Sequence, residues 1–497
     1  MYKILKLILL LVCSDLCFAN RILIESENCD FKQCFFPNEN NIRNSSISYE
    51  ELCIDIDYFC YYLKTAYIGY KTLLQNNFNE SNLKDHFRKI YSQEENIDTK
   101  ILLNELIDYM KPYITDGHFS INGTSGKENN YLLEKNIILY TNTFFEKINN
   151  EYILIETDSP KLLKGQKYTG NEAHLYYYPS KNRNAYRLGV ISDRKPNIYS
   201  FSINDEEVLL PVFDDGCISS SFGIKYSSFE TEKTGYVRIS SFLLPEKKSQ
   251  FRKGAEIIFD KFIKLSDKWN EKEFIILDLR CNFGGEMNNP QFFLYNLSTN
   301  ELKAFDKKEF KKVDTFFEKH FTPKTSLDSP SVSQAVINFT NKYDVINSNY
   351  HKKIATTKLK QHKILPKVER WKTDFNESLK NLPQYKGKLI FLIDRNTISA
   401  PELFIIYAKK IWGNENVIVI GENSYGSLEY GEIYEYSLPN SYIFLQLGSE
   451  QEDFLKYFSI WHGDGLGIFP DCWTTIEDIN KSIYFYTNDE DLKLKNY

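Results

Sequence analysis

No two of the nine cysteines stand in a CxxC pair, and no histidine lies at ligand spacing from such a pair, which argues against a zinc site. Charge of one sign is lacking too. The net charge of -6 on 497 residues comes from acidic and basic groups interspersed rather than blocked, so nothing points to nucleic acid as a partner. Beyond the amino terminus no run is apolar enough for a membrane span, and there is no internal repeat. What the chain has in quantity is surface to bury. A hydrophobic content of 42% with 15% aromatics excludes global disorder, and the length implies two or three domains.

The amino terminus carries its own signal. Lys3 and Lys6 flank or interrupt the apolar stretch from Ile4 to Val12, and Ser14, Cys17 and Ala19 follow. A basic start, a short apolar core and a small residue at the cleavage point read as a signal peptide over 1–19, and hence as export to the periplasm or medium. Val12 is too bulky for a lipid anchor at Cys13. Seven cysteines remain after cleavage: Cys29, Cys34, Cys53, Cys60, Cys217, Cys281 and Cys472. Their odd number leaves at least one free, or paired with another chain. Cys29 with Cys34 and Cys53 with Cys60 lie near enough in sequence for local bridges, though sequence does not fix the pairing.

Residues 20–50 are polar and Asn-rich and form an irregular lead-in. Apolar residues then recur at three- and four-residue intervals, giving a helical domain over 51–125 that closes on the turn Asp116-Gly117-His118. A region of short strands broken by Gly, Pro, Asn and Asp occupies 126–235. From 236 to 497 helices alternate with apolar strands, the order that makes an α/β core with parallel strands. Within it, 301–384 is polar, weakly periodic and reads as an insertion.

Three segments each end an apolar strand and open into a turn of small residues. The first is Asp278-Leu-Arg-Cys-Asn-Phe-Gly284-Gly285, where a Gly pair lets main-chain N–H groups face a ligand, as an oxyanion hole requires. By itself a Gly pair is more often only a tight turn. The second is Asn396-Thr-Ile-Ser399-Ala400-Pro401-Glu402, where a serine at a helix start sits at the positive end of the dipole. Its plainer reading is a capping box of Ser399 with Glu402. The third is Gly421-Glu-Asn-Ser-Tyr-Gly426-Ser427, otherwise a surface turn.

In this order the segments DLRCNFGG, NTISAPE and GENSYGS resemble the DLRxNxGG, TASASE and GExTxGKG elements of the tail-specific, or C-terminal-processing, serine peptidases. The phrase from Gly465 to Asp471 resembles that family's GxGIxPD element. Agreement is clear from about residue 235 to 473 and weaker over 51–120. The resemblance implies a ClpP/crotonase-like α/β core behind a helical amino-terminal domain, with Ser399 as nucleophile. The PDZ domain of many relatives is not evident in the strand-rich region that takes its place.

One departure matters. Members with a Ser-Lys dyad carry lysine where this chain has Ser427. The His-containing branch, which resembles tricorn and the chlamydial secreted protease, uses a DGH-type histidine, and that implies His118 as base. The same resemblance assigns the orienting acid to Asp464 and the oxyanion hole to Gly284 or Gly285 with Ala400; His462, two residues before Asp464, competes for a catalytic role, its plainer reading being a polar loop residue. The expectation is a secreted endopeptidase acting on protein or peptide through an acyl-enzyme, with no metal or organic cofactor. A non-catalytic module binding hydrophobic ligands or peptides is the alternative, and activation by cleavage within 301–384 is a further possibility.

Overall fold

The computed structural model describes residues 45–122, 132–214, 224–244, 252–299, 383–452 and 458–494, with short stretches at 29–31, 311–313, 316–317, 325–327 and 369–372, and residue 455. The signal peptide expected at 1–19, most of the lead-in, Cys34, Cys217 and most of the 301–384 insertion lie outside the described residues.

The helical region comprises α1 (Tyr49–Ala66), α2 (Glu80–Tyr91) and α3 (Thr99–Met110). Ser48 and Glu51 start α1 with a reciprocal capping box, Glu51 N donating to Ser48 Oγ at 3.2 Å and Ser48 N to Glu51 Oε2 at 2.8 Å. Leu52, Ile56, Phe59 and Leu63 recur along one face of α1 and are buried. They share a core with Tyr430, Leu438, Ile443 and Leu445 from near the other end of the chain, so the helical region is packed onto the carboxy-terminal half. The buried Asp55 fastens this contact, accepting from Asn440 N at 2.9 Å and Ser441 N at 2.8 Å. Cys53 and Cys60 are both free. Seven residues of helix separate their backbones by about 10.5 Å, whereas a disulfide needs Cα atoms within about 7 Å.

The strand β1 (Ser120–Asn122) follows directly after the DGH turn. The middle region then forms a four-stranded antiparallel sheet from β2 (Ile137–Ile148), β3 (Glu151–Glu156), β4 (Leu175–Tyr177) and β5 (Ala185–Ser192). Beside it lies the hairpin of β6 (Ile198–Ile203) and β7 (Glu206–Pro211). This region has its own core, including Leu139, Leu188, Phe201 and Val208.

The main sheet has seven strands in the order 29–31, β8 (Ile224–Glu230), β9 (Thr234–Ile239), β10 (Phe274–Asp278), β11 (Lys388–Ile393), β12 (Val417–Gly421) and β15 (Cys472–Trp473). From β9 to β15 every pairing is parallel. Because residues 29–31 and β8 both belong to it, the sheet draws on chain ahead of residue 236. Strands β10, β11 and β12 are nearly continuous apolar runs because both their faces are covered. On one face Ile275, Leu277, Leu389, Phe391, Val417 and Val419 meet α4 (Arg252–Lys268), α5 (Asn288–Thr299) and α6 (Ala400–Trp412). The alternate residues Ile276, Ile390, Leu392, Ile418 and Ile420 meet α7 (Ile479–Thr487). Burying one such side chain contributes about 1.5–3 kcal/mol.

A second sheet is built on β13 (Tyr430–Ser437) and β14 (Phe444–Glu452). β1 pairs with β14 through Ser120 and Gln446, and residues 369–372 of the insertion pair with the far end of the same strand. Among the described residues, no helix is long and apolar enough to cross a membrane.

Candidate active site

The parallel register places Asp278 beside Leu392 and Ile393 beside Gly421, so three loops open at one edge of the sheet. In open α/β sheets that edge is where ligands bind. Asp394 knits the first two loops together, accepting from Cys281 N and Asn396 N, each at 2.9 Å. Ile398 N donates to Asn282 O at 2.9 Å, and Tyr425 N to Thr397 O at 3.0 Å, which ties in the third. Beneath them Arg395 makes a buried two-pronged pair with Glu422, at 2.9 and 2.8 Å, and reaches Asp214 of the middle region at 2.6 Å.

Gly285 has φ +128°, and a Cβ there would fall 2.1 Å from Leu243 N, so only glycine fits. Gly284 lies against Ser399: a Cβ on it would stand 3.2 Å from Ser399 Cβ. Its amide, however, donates to Asn282 Oδ1 at 3.0 Å. The amides of Gly285 and Ala400 have no intramolecular partner among the described residues. Of the two glycines weighed for an oxyanion hole, the structure leaves only the Gly285 N–H available.

Ser399 immediately precedes α6, with φ +66° and ψ -113°. A non-glycine residue in such a region stores about 1–3 kcal/mol and must be held there. The holder is Glu402. Its buried carboxylate accepts from Ser399 N at 2.7 Å, Gly426 N at 2.8 Å, Ser427 N at 3.1 Å and Ser424 Oγ at 2.5 Å. The capping-box acid of the sequence therefore also joins Ser399 to the loop after β12. Burial raises its carboxyl to about 7, against the pull of those donors.

His118 approaches from the helical region. The DGH turn docks on the loop after β12 so closely that a Cβ on Gly117 would lie 2.4 Å from Gly426 O and 2.9 Å from Ser427 Oγ. Asp116 holds the turn internally, accepting from His118 N at 2.7 Å. Burial and the charge of Asp464 raise the Asp116 carboxyl well above the usual range. The imidazole is partly exposed, but its Nδ1 is enclosed and has no hydrogen-bond partner among the described residues. Desolvation lowers its pKa to about 4, favouring the neutral ring that a general base requires. No hydrogen bond joins His118 to Ser399 in this structure.

Asp464 lies beside this turn, but its bonds are all to main chain. Oδ2 accepts from Gly117 N at 2.9 Å, and Oδ1 from Leu428 N at 2.9 Å and Glu429 N at 3.1 Å. It holds the loop that carries His118 and makes no hydrogen bond to the imidazole. Burial raises its carboxyl to about 7. His462 is set apart from the chemistry: its ring stacks on Phe469 with centroids 3.7 Å apart. The position where the other branch has lysine is held by Ser427, fully buried, with an Oγ that has no partner.

Sequence reasoning did not find the joining role of Glu402, the use of Asn282 to occupy the Gly284 amide, or the clamp of Asp394. Only their positions within the motifs hinted at them.

Residues 233–449 match the model of peptidase family S41. A search of curated proteins gave no match. Among solved structures, the chain is similar to mature CPAF at 12% identity and TM-score 0.41, covering 88% of this chain and 96% of that one. It is similar to the photosystem II D1 C-terminal processing protease at 11% identity and TM-score 0.31, covering 86% and 93%. It is also similar to the tricorn protease at 13% identity and TM-score 0.29, covering 86% of this chain and 34% of the other. Residues 233–449 thus match peptidase family S41, the tail-specific peptidases, and the chain is a serine-type peptidase whose substrates are proteins or peptides.

Proposed function

We propose that this protein is an exported endopeptidase that works through Ser399 and His118 rather than a Ser-Lys dyad. The observation that carries this reading is the docking of the DGH turn onto the Gly426-Ser427 loop, where a lysine base would otherwise stand. His118 Nε2 accepts the Ser399 hydroxyl proton as Oγ attacks the peptide carbonyl. The oxyanion is received by the N–H groups of Gly285 and Ala400, at the positive end of α6. His118 then passes the proton to the leaving amine, and water hydrolyses the acyl-enzyme by the reverse sequence. The lack of a Ser399–His118 hydrogen bond is compatible with a catalytic pair, since such bonds often tighten only on substrate. Export rests on the basic and apolar pattern of residues 3–19. A non-catalytic binding role is not favoured by the match of residues 233–449 to a peptidase family.

The test is digestion of an unstructured protein with an acid quench in the first turnovers. A substrate fragment esterified to Ser399, absent from Ser399→Ala, is expected. Peptide cleavage that persists in Ser399→Ala would overturn the assignment.

A further inference from the structure

A carboxylate of the middle region reaches the loops of the site. Asp214 Oδ1 lies 2.6 Å from Arg395 Nη1, and its Oδ2 lies 2.8 Å from Lys195 Nζ. Its backbone follows directly on Phe213, which is bonded both ways to Tyr140 of β2, at 2.8 and 3.0 Å. Arg395 is buried, and its Nε and Nη2 are taken by the two oxygens of Glu422. A guanidinium presents its N–H groups in a rigid fork, so Nη1 needs an acceptor of its own once the group has left water. Asp214 supplies it from the middle region.

The fork matters because of where its two ends stand. Arg395 lies between Asp394, which binds the amides of Cys281 and Asn396, and Ser399. Glu422 opens the loop whose Gly426 and Ser427 amides bind Glu402, the acceptor of Ser399 N. The Arg395–Glu422 fork and Glu402 are thus two ties between the same pair of loops, one at their base and one at Ser399. Asp214 bears on the first. Other contacts hold the middle region in place without it. Tyr176 packs on Trp473 of β15 with ring centroids 4.7 Å apart, and Tyr178 donates its hydroxyl to Asp478 Oδ2 at 2.9 Å.

We propose that Asp214 is a positioning residue for Ser399: anchored in the middle region, it fixes the Arg395–Glu422 fork and through it the spacing of the two loops. The inference rests on the serine-peptidase reading above. It makes the middle region part of what holds Ser399 in place, and not only a surface for substrate. Because Asp214 is partly exposed, and exposed ion pairs add little to stability, its loss should act on rate and leave folding nearly unchanged.

The test compares Asp214→Ala and Asp214→Glu with the wild type, as full chains, by the rate at which a small fluorophosphonate labels Ser399, by kcat and KM on a fluorogenic peptide, and by melting temperature. Such a probe needs no extended binding surface, so its rate reports the geometry at Ser399. Asp214→Ala is expected to label at least about tenfold more slowly and to lose kcat by a similar factor at unchanged KM, as a shift of a fraction of an ångström in a catalytic group does, with the wild-type melting temperature. Asp214→Glu keeps the carboxylate and is expected to recover most of that rate. Wild-type labelling by folded Asp214→Ala, an equal loss in Asp214→Glu, or a change confined to KM would overturn the positioning role and leave the peptidase reading intact. If Asp214→Ala does not fold, Asp214→Asn decides by the same readouts: slower labelling supports the role and wild-type labelling overturns it. Failure of the folded wild type to label at all would overturn the peptidase reading itself, and this role with it.

Discussion

Replacing Gly117 by alanine tests whether the close docking of the DGH turn is what makes the site. The added methyl would lie 2.4 Å from the main-chain oxygen of Gly426 and 2.9 Å from both Cβ and Oγ of Ser427, against an ordinary contact of 3.4–4 Å. Relief requires a displacement of roughly 1 Å, because the nearest atom is backbone and not the end of a flexible side chain. Overpacking of this kind costs about 1–3 kcal/mol. If the turn lifts, the bond from Gly117 N to Asp464 is lost as well, worth about 1.5–3 kcal/mol as a bond to a charged group. A misplacement of about 1 Å in a catalytic group lowers rate about a hundredfold. Gly117→Ala should therefore unfold at lower urea and label with a fluorophosphonate about a hundredfold more slowly. Gly431→Ala is the matched control, since a Cβ there meets nothing within 4 Å, and it should stay within about 0.5 kcal/mol of wild type. Labelling of Gly117→Ala at the wild-type rate would refute the docking argument.

The acid limb of the rate profile should fall near pH 4 rather than at the ordinary histidine value, because desolvation lowers the His118 pKa and only the neutral ring accepts a proton. A limb centred above pH 6 in kcat/KM would contradict that. Gly284→Ala would place a Cβ 2.8 Å from Ile398 O at a residue with φ +85°, and fluorogenic peptide turnover should drop at least about a hundredfold, as it does when an oxyanion site is disturbed. Unchanged turnover would remove Gly284 from the site. Asp55→Ala leaves the amides of Asn440 and Ser441 without their acceptor, a loss of about 2–6 kcal/mol in urea unfolding. Burial also raises the Asp55 carboxyl to about 6, above its unfolded value of about 3.9. Its contribution is thus complete below pH 4 and lost as pH rises through 6. The Asp55 increment, taken as the wild-type minus Asp55→Asn difference in unfolding free energy, should be larger at pH 5 than at pH 7.5.

The parallel core was legible because β10, β11 and β12 are buried on both faces and so read as unbroken apolar runs. The place of Ser399 at the start of α6 was legible because a serine before a helix, with a glycine pair after the preceding strand of the sheet, is a local pattern. The partners of Asp464 were not, since the Gly117 amide it binds lies 347 residues away in sequence. Nor did the motif reveal that Asn282 occupies the Gly284 amide, because that depends on how the loop turns back on itself. The pairing of residues 369–372 with β14 was hidden for another reason: a four-residue strand within a polar stretch has no periodicity to detect. The packing of α1 against the late β13–β14 hairpin was likewise invisible, as helical spacing marks a buried face but not what covers it.

The claim that Ser399 is the nucleophile is tested most directly by peptide mapping of the fluorophosphonate adduct on the folded, full-length protein. A single phosphonylated serine at position 399 is expected, absent from Ser399→Ala and formed at least about a hundredfold more slowly in His118→Ala. An adduct on any other residue, or none on a protein that melts cooperatively, would contradict the account.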